Sequence, residues 1–270
     1  MCRWLAYSGG PVLISELLIK PKDNLIHQSL HARSLRVPTN GDGNGLGWYD
    51  DQPYPGLYRS LFPAWNDLNL HDLASHIESH LFLSHVRASS LAPIQETNCH
   101  PFRYKQWLFM HNGEIIQFEF LRQALLAKIS PEYFNDVIGS TDSEVMFYLA
   151  LTLGLEKNVI TSVAEMVNLI KTEGAKAGVS GNLNMTLAIS DGKSLWGFKY
   201  GSDGKSPTLY LSPGIDELRL LNPGILGLFG DFAACLVSEP IGNYQEIWKA
   251  IPENSVIEIS NKKIIVNTFL

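Results

Sequence analysis

The chain is poor in the signatures that assign a function class at a glance. It has three cysteines, Cys2, Cys99 and Cys235, an odd count that argues against a disulfide framework. No Cys-x-x-Cys pair occurs. No long basic run is present, and with a formal net charge of -6 and a pI near 5.7 the electrostatic footprint of a nucleic-acid partner is missing. No stretch approaches 18 uninterrupted apolar residues, so no membrane span is expected. The opening MCRWLAYSGG has no apolar run behind a basic region, which excludes a secretory leader there; a reducing cytoplasm is the expected compartment. There are no repeats and no low-complexity tract. The Gly-rich stretch Thr39 to Gly47 lacks the Gly-Lys-Ser/Thr of a phosphate loop and the dinucleotide fingerprint, and reads as a structural loop near a site.

What is present is a globular chain. Its 270 residues are 45% hydrophobic and 18% charged, enough for a sizeable core. Short apolar runs bounded by turn residues predict strands over 81–87, 106–111, 184–190, 194–200, 233–238, 256–260 and 263–269. Asp191-Gly192-Lys193 and Ser260-Asn261 predict hairpin turns. Helical spacing predicts a helix over 115–129. Capping boxes at Thr141–Glu144 and Ser162–Glu165 predict two more, the second running toward Lys176. Blocks of strands around central helices favour α+β layers.

Several motifs then follow in a fixed order. Cys2 stands second, where a small residue permits removal of the initiator methionine and leaves a thiol and a free amine on one residue. The α-amine, with a pKa of about 8, is a base of suitable strength carried by the nucleophile itself. After it come SHVRASSLAPIQETNCHPF from Ser84, FMHNGEI from Phe109, GSTDSEV from Gly139 and VSEP from Val237, then Trp248 and Ile251-Pro252. Together these resemble the class II glutamine amidotransferase domain, an N-terminal nucleophile hydrolase. The resemblance covers nearly the whole chain. It implies one domain, 1–270, folded as a four-layer αββα sandwich with the site where the first strand starts.

The resemblance also assigns roles. Cys2 is the nucleophile. The Asn112 side chain and the Gly113 N–H form the oxyanion hole, where a single fixed donor contributes about 3 kcal/mol. Arg87 clasps the substrate α-carboxylate through its planar fork and Asp142 holds the α-ammonium. Ser90 falls where the family carries a hydroxyl near the substrate. His100 and His111 read as wall residues that position substrate. Around Cys99, His100 and His111 the spacing is not that of a zinc site, so neither metal nor cofactor is expected. Cys99 and Cys235 read as inert core thiols.

There are departures. Many synthase-linked members begin Cys-Gly-Ile and carry a tryptophan after the substrate arginine; here the start is CRWLAY and Ala88 follows Arg87. CRWLAY, GWYD and SHVRASS resemble instead a stand-alone branch that includes γ-glutamyl hydrolases of ergothioneine biosynthesis and glutathione breakdown. The expected substrate is therefore a small γ-glutamyl amide. The alternatives are a glutaminase subunit that passes ammonia to a separate synthase, and a catalytically silent binding protein on the same fold.

Overall fold

A computed structural model describes residues 2–30, 39–88, 92–179, 183–215 and 229–270. Alternation along the strands decides which layer each side chain enters. In β1 (Arg3–Leu13), Trp4 and Ala6 face one way, Leu5 and Tyr7 the other, and all four are fully buried. A strand buried on both faces requires a layer on each side.

The chain supplies those layers in order. After β1 come α1 (Ser15–Leu18), α2 (Leu25–Leu30), β2 (Asn44–Trp48), β3 (Gly56–Ser60), α3 (Leu68–His76) and β4 (Glu78–Val86). Next are β5 (Phe102–Tyr104), β6 (Trp107–Ile115), α4 (Phe118–Leu126), α5 (Pro131–Phe134), α6 (Asp142–Thr152) and α7 (Val159–Lys176). The chain closes with β7 (Leu183–Ser190), β8 (Leu195–Gly201), β9 (Tyr210–Leu211), β10 (Ala233–Val237), β11 (Lys249–Ala250), β12 (Ser255–Ser260) and β13 (Lys263–Thr268).

Among the described residues these strands form two antiparallel sheets. One runs β11-β9-β10-β1-β4-β2-β3, the other β13-β12-β8-β7-β6-β5. Trp4, Ala6, Leu81, Leu83, Leu108, Met110, Ala188 and Ile257 fill the space between the sheets. On the outer face of the first sheet Leu5, Tyr7 and Phe82 pack on residues of α1, α2 and α3. On the outer face of the second, Phe109, Leu187 and Phe198 pack on α4 to α7. This is the expected α+β four-layer sandwich.

Local chemistry explains most element ends. Thr141 caps α6 by accepting from the Glu144 N–H at 3.1 Å. The Glu144 carboxylate accepts from the Ile138 and Gly139 N–H groups instead of reaching back to the cap. The second expected capping box is not one. Asn158 caps α7 by accepting from Thr161 N–H at 2.9 Å, and Ser162 is a buried interior residue whose hydroxyl donates to Ala150 O at 2.7 Å. The helix expected from Ile115 starts at Phe118, because Ile115 still pairs with Leu183. The stretch expected as a loop up to Gly47 becomes strand at Asn44, where β2 pairs with β3.

Candidate active site

The register of the first sheet builds the site. Arg3 pairs with Val86, so the next step along β1 sets Cys2 opposite Arg87. The Ala88 N–H donates to Cys2 Sγ at 3.4 Å, and the thiol reaches Ala88 O at 3.5 Å. Burial pushes the Cys2 thiol up; the Ala88 amide, the terminal ammonium and the Arg87 guanidinium pull it down, and the Asp142 carboxylate adds to the rise. The net direction is upward, so the thiol is protonated at neutral pH. The same balance places Cys2 within the fields of both Arg87 and Asp142.

Arg87 closes β4 and is 3% exposed. Its Nη1 donates to Asp42 O at 3.4 Å, and Nη2 to Ala92 O at 3.3 Å and Pro93 O at 3.2 Å. Its backbone pairs with the Gly-rich stretch: Arg87 N–H donates to Gly43 O at 2.9 Å, and Asp42 N–H to Arg87 O at 3.1 Å. That stretch is also tied to β1, where the buried Arg3 guanidinium donates to Asn40 Oδ1 and, at 2.8 and 3.0 Å, to Glu239 Oε1. Residues 40–43 thus hang from both strands that carry the site. The sequence reading did not single out Arg3, Asn40 or Glu239; the Arg-Glu pair is 236 positions apart, and only the VSEP run drew attention to one end of it.

Asn112 and Gly113 lie in β6, opposite Thr186 and Met185. Trp4 Nε1–H, from the start of β1, crosses between the sheets to Thr186 Oγ1 at 3.2 Å, and so links β1 to β7 at the residue that pairs with Asn112. Gly113 has φ of +143°, and a Cβ there would lie 2.0 Å from Asn184 O and 2.7 Å from His111 Nε2. Only glycine fits.

Asp142 opens α6, and its Oδ2 accepts from Ile115 N–H at 2.8 Å, just past the Asn112-Gly113 pair. Its Oδ1 accepts from Ser143 N–H at 2.7 Å. His111 Nδ1 lies 2.9 Å from Ser143 Oγ, a second tie between β6 and α6. His100 stacks on His85, ring centroids 4.3 Å apart, and meets the Phe102 ring edge-on. All three histidines are buried, and burial is the first cause that lowers each: His85 to about 3, His100 well below the usual range, and His111 downward against the Asp142 carboxylate. All three are neutral at neutral pH. The structure sets Cys2 beside Arg87 and within reach of the Asp142 field, gathers His111, Asn112, Gly113 and Asp142 at the β6–α6 junction, and stacks His100 on His85, two residues before Arg87; Ser90 lies outside the described residues.

Cys99 and Cys235 are buried, and burial pushes their thiols up to about 11 and about 12. Two His-x-x-x-His spacings exist, His27 with His31 and His76 with His80. His76 ends α3 and His80 lies in β4, so no helical face carries both; His31 lies outside the described residues. Among the described residues no group of three or more His, Cys, Asp or Glu is arranged to hold a metal ion, and no helix is long and apolar enough to cross a membrane.

The sequence model of class II glutamine amidotransferases matches residues 20–207. The chain belongs to this family. It is 31% identical over 304 residues to a probable glutamine amidotransferase of Saccharomyces cerevisiae, spanning 100% of this chain and 85% of the yeast protein. A gamma-glutamyl-hercynylcysteine sulfoxide hydrolase of Mycobacterium tuberculosis is 35% identical over 117 residues, 43% of this chain and 50% of that protein. Among solved structures, a glutamine aminotransferase class-II domain protein from Silicibacter pomeroyi superposes over the whole of both chains with a TM-score of 0.74 and 29% identity. The glutamine phosphoribosylpyrophosphate amidotransferase of B. subtilis shares the fold, with a TM-score of 0.63, 15% identity and 49% of its chain covered. Family membership makes the chain an amidohydrolase-type enzyme and agrees with the sequence reading.

Proposed function

We propose that this enzyme hydrolyses a γ-glutamyl amide, with Cys2 as an N-terminal nucleophile. The observation that supports this most is the register that sets Cys2 opposite the buried Arg87, with its sulfur on the Ala88 N–H, while the Asp142 carboxylate is close enough to act on the same thiol. The α-carbon of a glutamyl group carries a carboxylate and an ammonium. A pocket with one group of each sign beside a thiol recognises that pattern.

The raised thiol needs a base, and removal of Met1 would free an α-amine on Cys2 itself to serve as one. In the proposed reaction this amine takes the thiol proton, directly or through one water. The sulfur attacks the γ-carbonyl, a C–S bond forms, and Asn112 Nδ2 with Gly113 N–H hold the oxyanion. The C–N bond breaks as the ammonium returns its proton to the leaving amine. Water then attacks the γ-glutamyl thioester, cleaves C–S and releases glutamate. His100 and His111, being neutral, shape the wall without competing for the proton.

The names of the yeast and the M. tuberculosis relatives, a probable glutamine amidotransferase and a gamma-glutamyl-hercynylcysteine sulfoxide hydrolase, support the glutamyl half of the substrate. Glutamate release from glutamine and from a panel of γ-glutamyl amides and peptides, beside Cys2→Ala, tests the reading. Release lost in the variant supports it, and hydrolysis retained in Cys2→Ala overturns it. Release that appears only with an added synthase subunit marks the ammonia-supplying alternative.

A further inference from the structure

Arg87 follows β4 of the first sheet and Asp142 opens helix α6, which packs on the second, and their separation must match one α-carbon for the proposed pocket to work. One side chain joins their supports. Asn98 is fully buried, at the end of the short turn 96–98 that follows β4. Its Nδ2–H donates to Pro93 O at 2.9 Å, the same carbonyl that accepts from Arg87 Nη2 at 3.2 Å. Its second Nδ2–H donates to Ser140 Oγ at 3.0 Å, and its Oδ1 accepts from Ser140 N–H at 2.8 Å. Ser140 lies two residues before Asp142. The Gln95 side chain adds a further donor to Oδ1 at 3.3 Å. Pro93 O can only accept and Ser140 N–H can only donate, so the amide has one orientation. Gly139 leaves room for it: a Cβ there would lie 2.7 Å from Asn98 Oδ1.

We infer that Asn98 is a positioning residue that fixes the spacing between the carboxylate-reading Arg87 and the ammonium-reading Asp142, and so sets the selectivity for an intact α-amino acid head. The inference rests on the proposed function. It gives Asn98 a role that its place in the sequence does not announce, because its partners lie both 5 and 42 positions away. A saturated amide in a dry site couples its two ends, since neither bond can loosen without leaving a buried group unpaired.

The test uses the full chain with Cys2→Ala, so that chemistry is absent, and measures calorimetric binding of L-glutamate, of glutarate, which lacks the ammonium, and of 4-aminobutyrate, which lacks the α-carboxylate. Asn98→Ala is expected to weaken L-glutamate about tenfold and to erase most of the preference over both analogues. Asn98→Asp, which keeps the acceptor and loses both donors, should act in the same direction. Ser140→Ala should cost about two- to threefold and add little to Asn98→Ala, because both remove one bridge. If Asn98→Ala fails to fold, the other two variants carry the same readout. Preferences retained in the variants while thermal stability falls would make Asn98 merely structural and overturn the inference alone. A parent that binds L-glutamate no better than the two analogues would refute the charge-reading pocket itself, and the inference with it.

Discussion

The backbone of Ala88 holds Cys2 Sγ from both sides, its N–H at 3.4 Å and its carbonyl at 3.5 Å, one residue beyond the buried Arg87. Strand pairing alone creates this contact: once Arg3 pairs with Val86, the first residues of β1 and the last of β4 arrive together. Cys2 and Arg87 are therefore positioned by the same ladder.

Charge selectivity follows from the two flanking groups. Arg87→Lys keeps the charge and loses the planar fork, so preference for substrates with a free α-carboxylate should fall. Asp142→Asn keeps an oxygen for the Ile115 N–H and removes the charge. Its kcat/KM for glutamine relative to the analogue without the α-amine should drop about tenfold to a hundredfold, the worth of one charged hydrogen bond. An unchanged ratio would leave Asp142 as a helix-start residue only.

Strand β6 has a backbone requirement at Gly113 that stability can read. Gly113→Ala meets Asn184 O at 2.0 Å and a φ of +143°, whereas Gly178→Ala, at φ of +70°, has nothing within 4 Å. Gly178→Ala should cost about 1–2 kcal/mol for the left-handed conformation alone. Gly113→Ala should cost more in a urea midpoint comparison; equal or smaller loss would show that the strand can shift.

The sequence made some of this visible and hid the rest for identifiable reasons. Thr141 and Glu144 announced α6 because capping is local. Ser162 imitated the same signal, yet the true cap, Asn158, lies four residues earlier, and the Ser162 hydroxyl is spent on Ala150 O. Gly45 and Gly47 disguised β2 as a loop. They are there for close approach, since a Cβ on Gly45 would lie 2.1 Å from His100 O and one on Gly47 would lie 2.7 Å from the Leu108 side chain. Arg87 and Asp142 were picked out by the motifs that carry them. Arg3 and Glu239 stayed hidden because they are 236 positions apart, and Asn98 because its bridge to Ser140, 42 positions on, exists only once the chain is folded.

The stacked histidines predict an acid limb in stability. His85, His100 and His111 are all lowered by burial in the folded state, His85 to about 3. As pH falls through about 6.5, the unfolded chain takes up protons that the native state refuses, so stability is intact above that value and declines below it. Each histidine contributes up to about 1.4 kcal/mol per pH unit in that window. Urea midpoints between pH 7.5 and 5 should fall, and His85→Gln should make the fall shallower. An unaltered slope in that variant would exclude His85 as a contributor.

The most direct test of the central claim is the mass of the N-terminal peptide from enzyme quenched in acid during turnover of a γ-glutamyl amide. The account predicts a peptide that begins at Cys2 and carries one γ-glutamyl group, absent in Cys2→Ala. An active enzyme whose peptide still begins at Met1, or an adduct on any other residue, would contradict it.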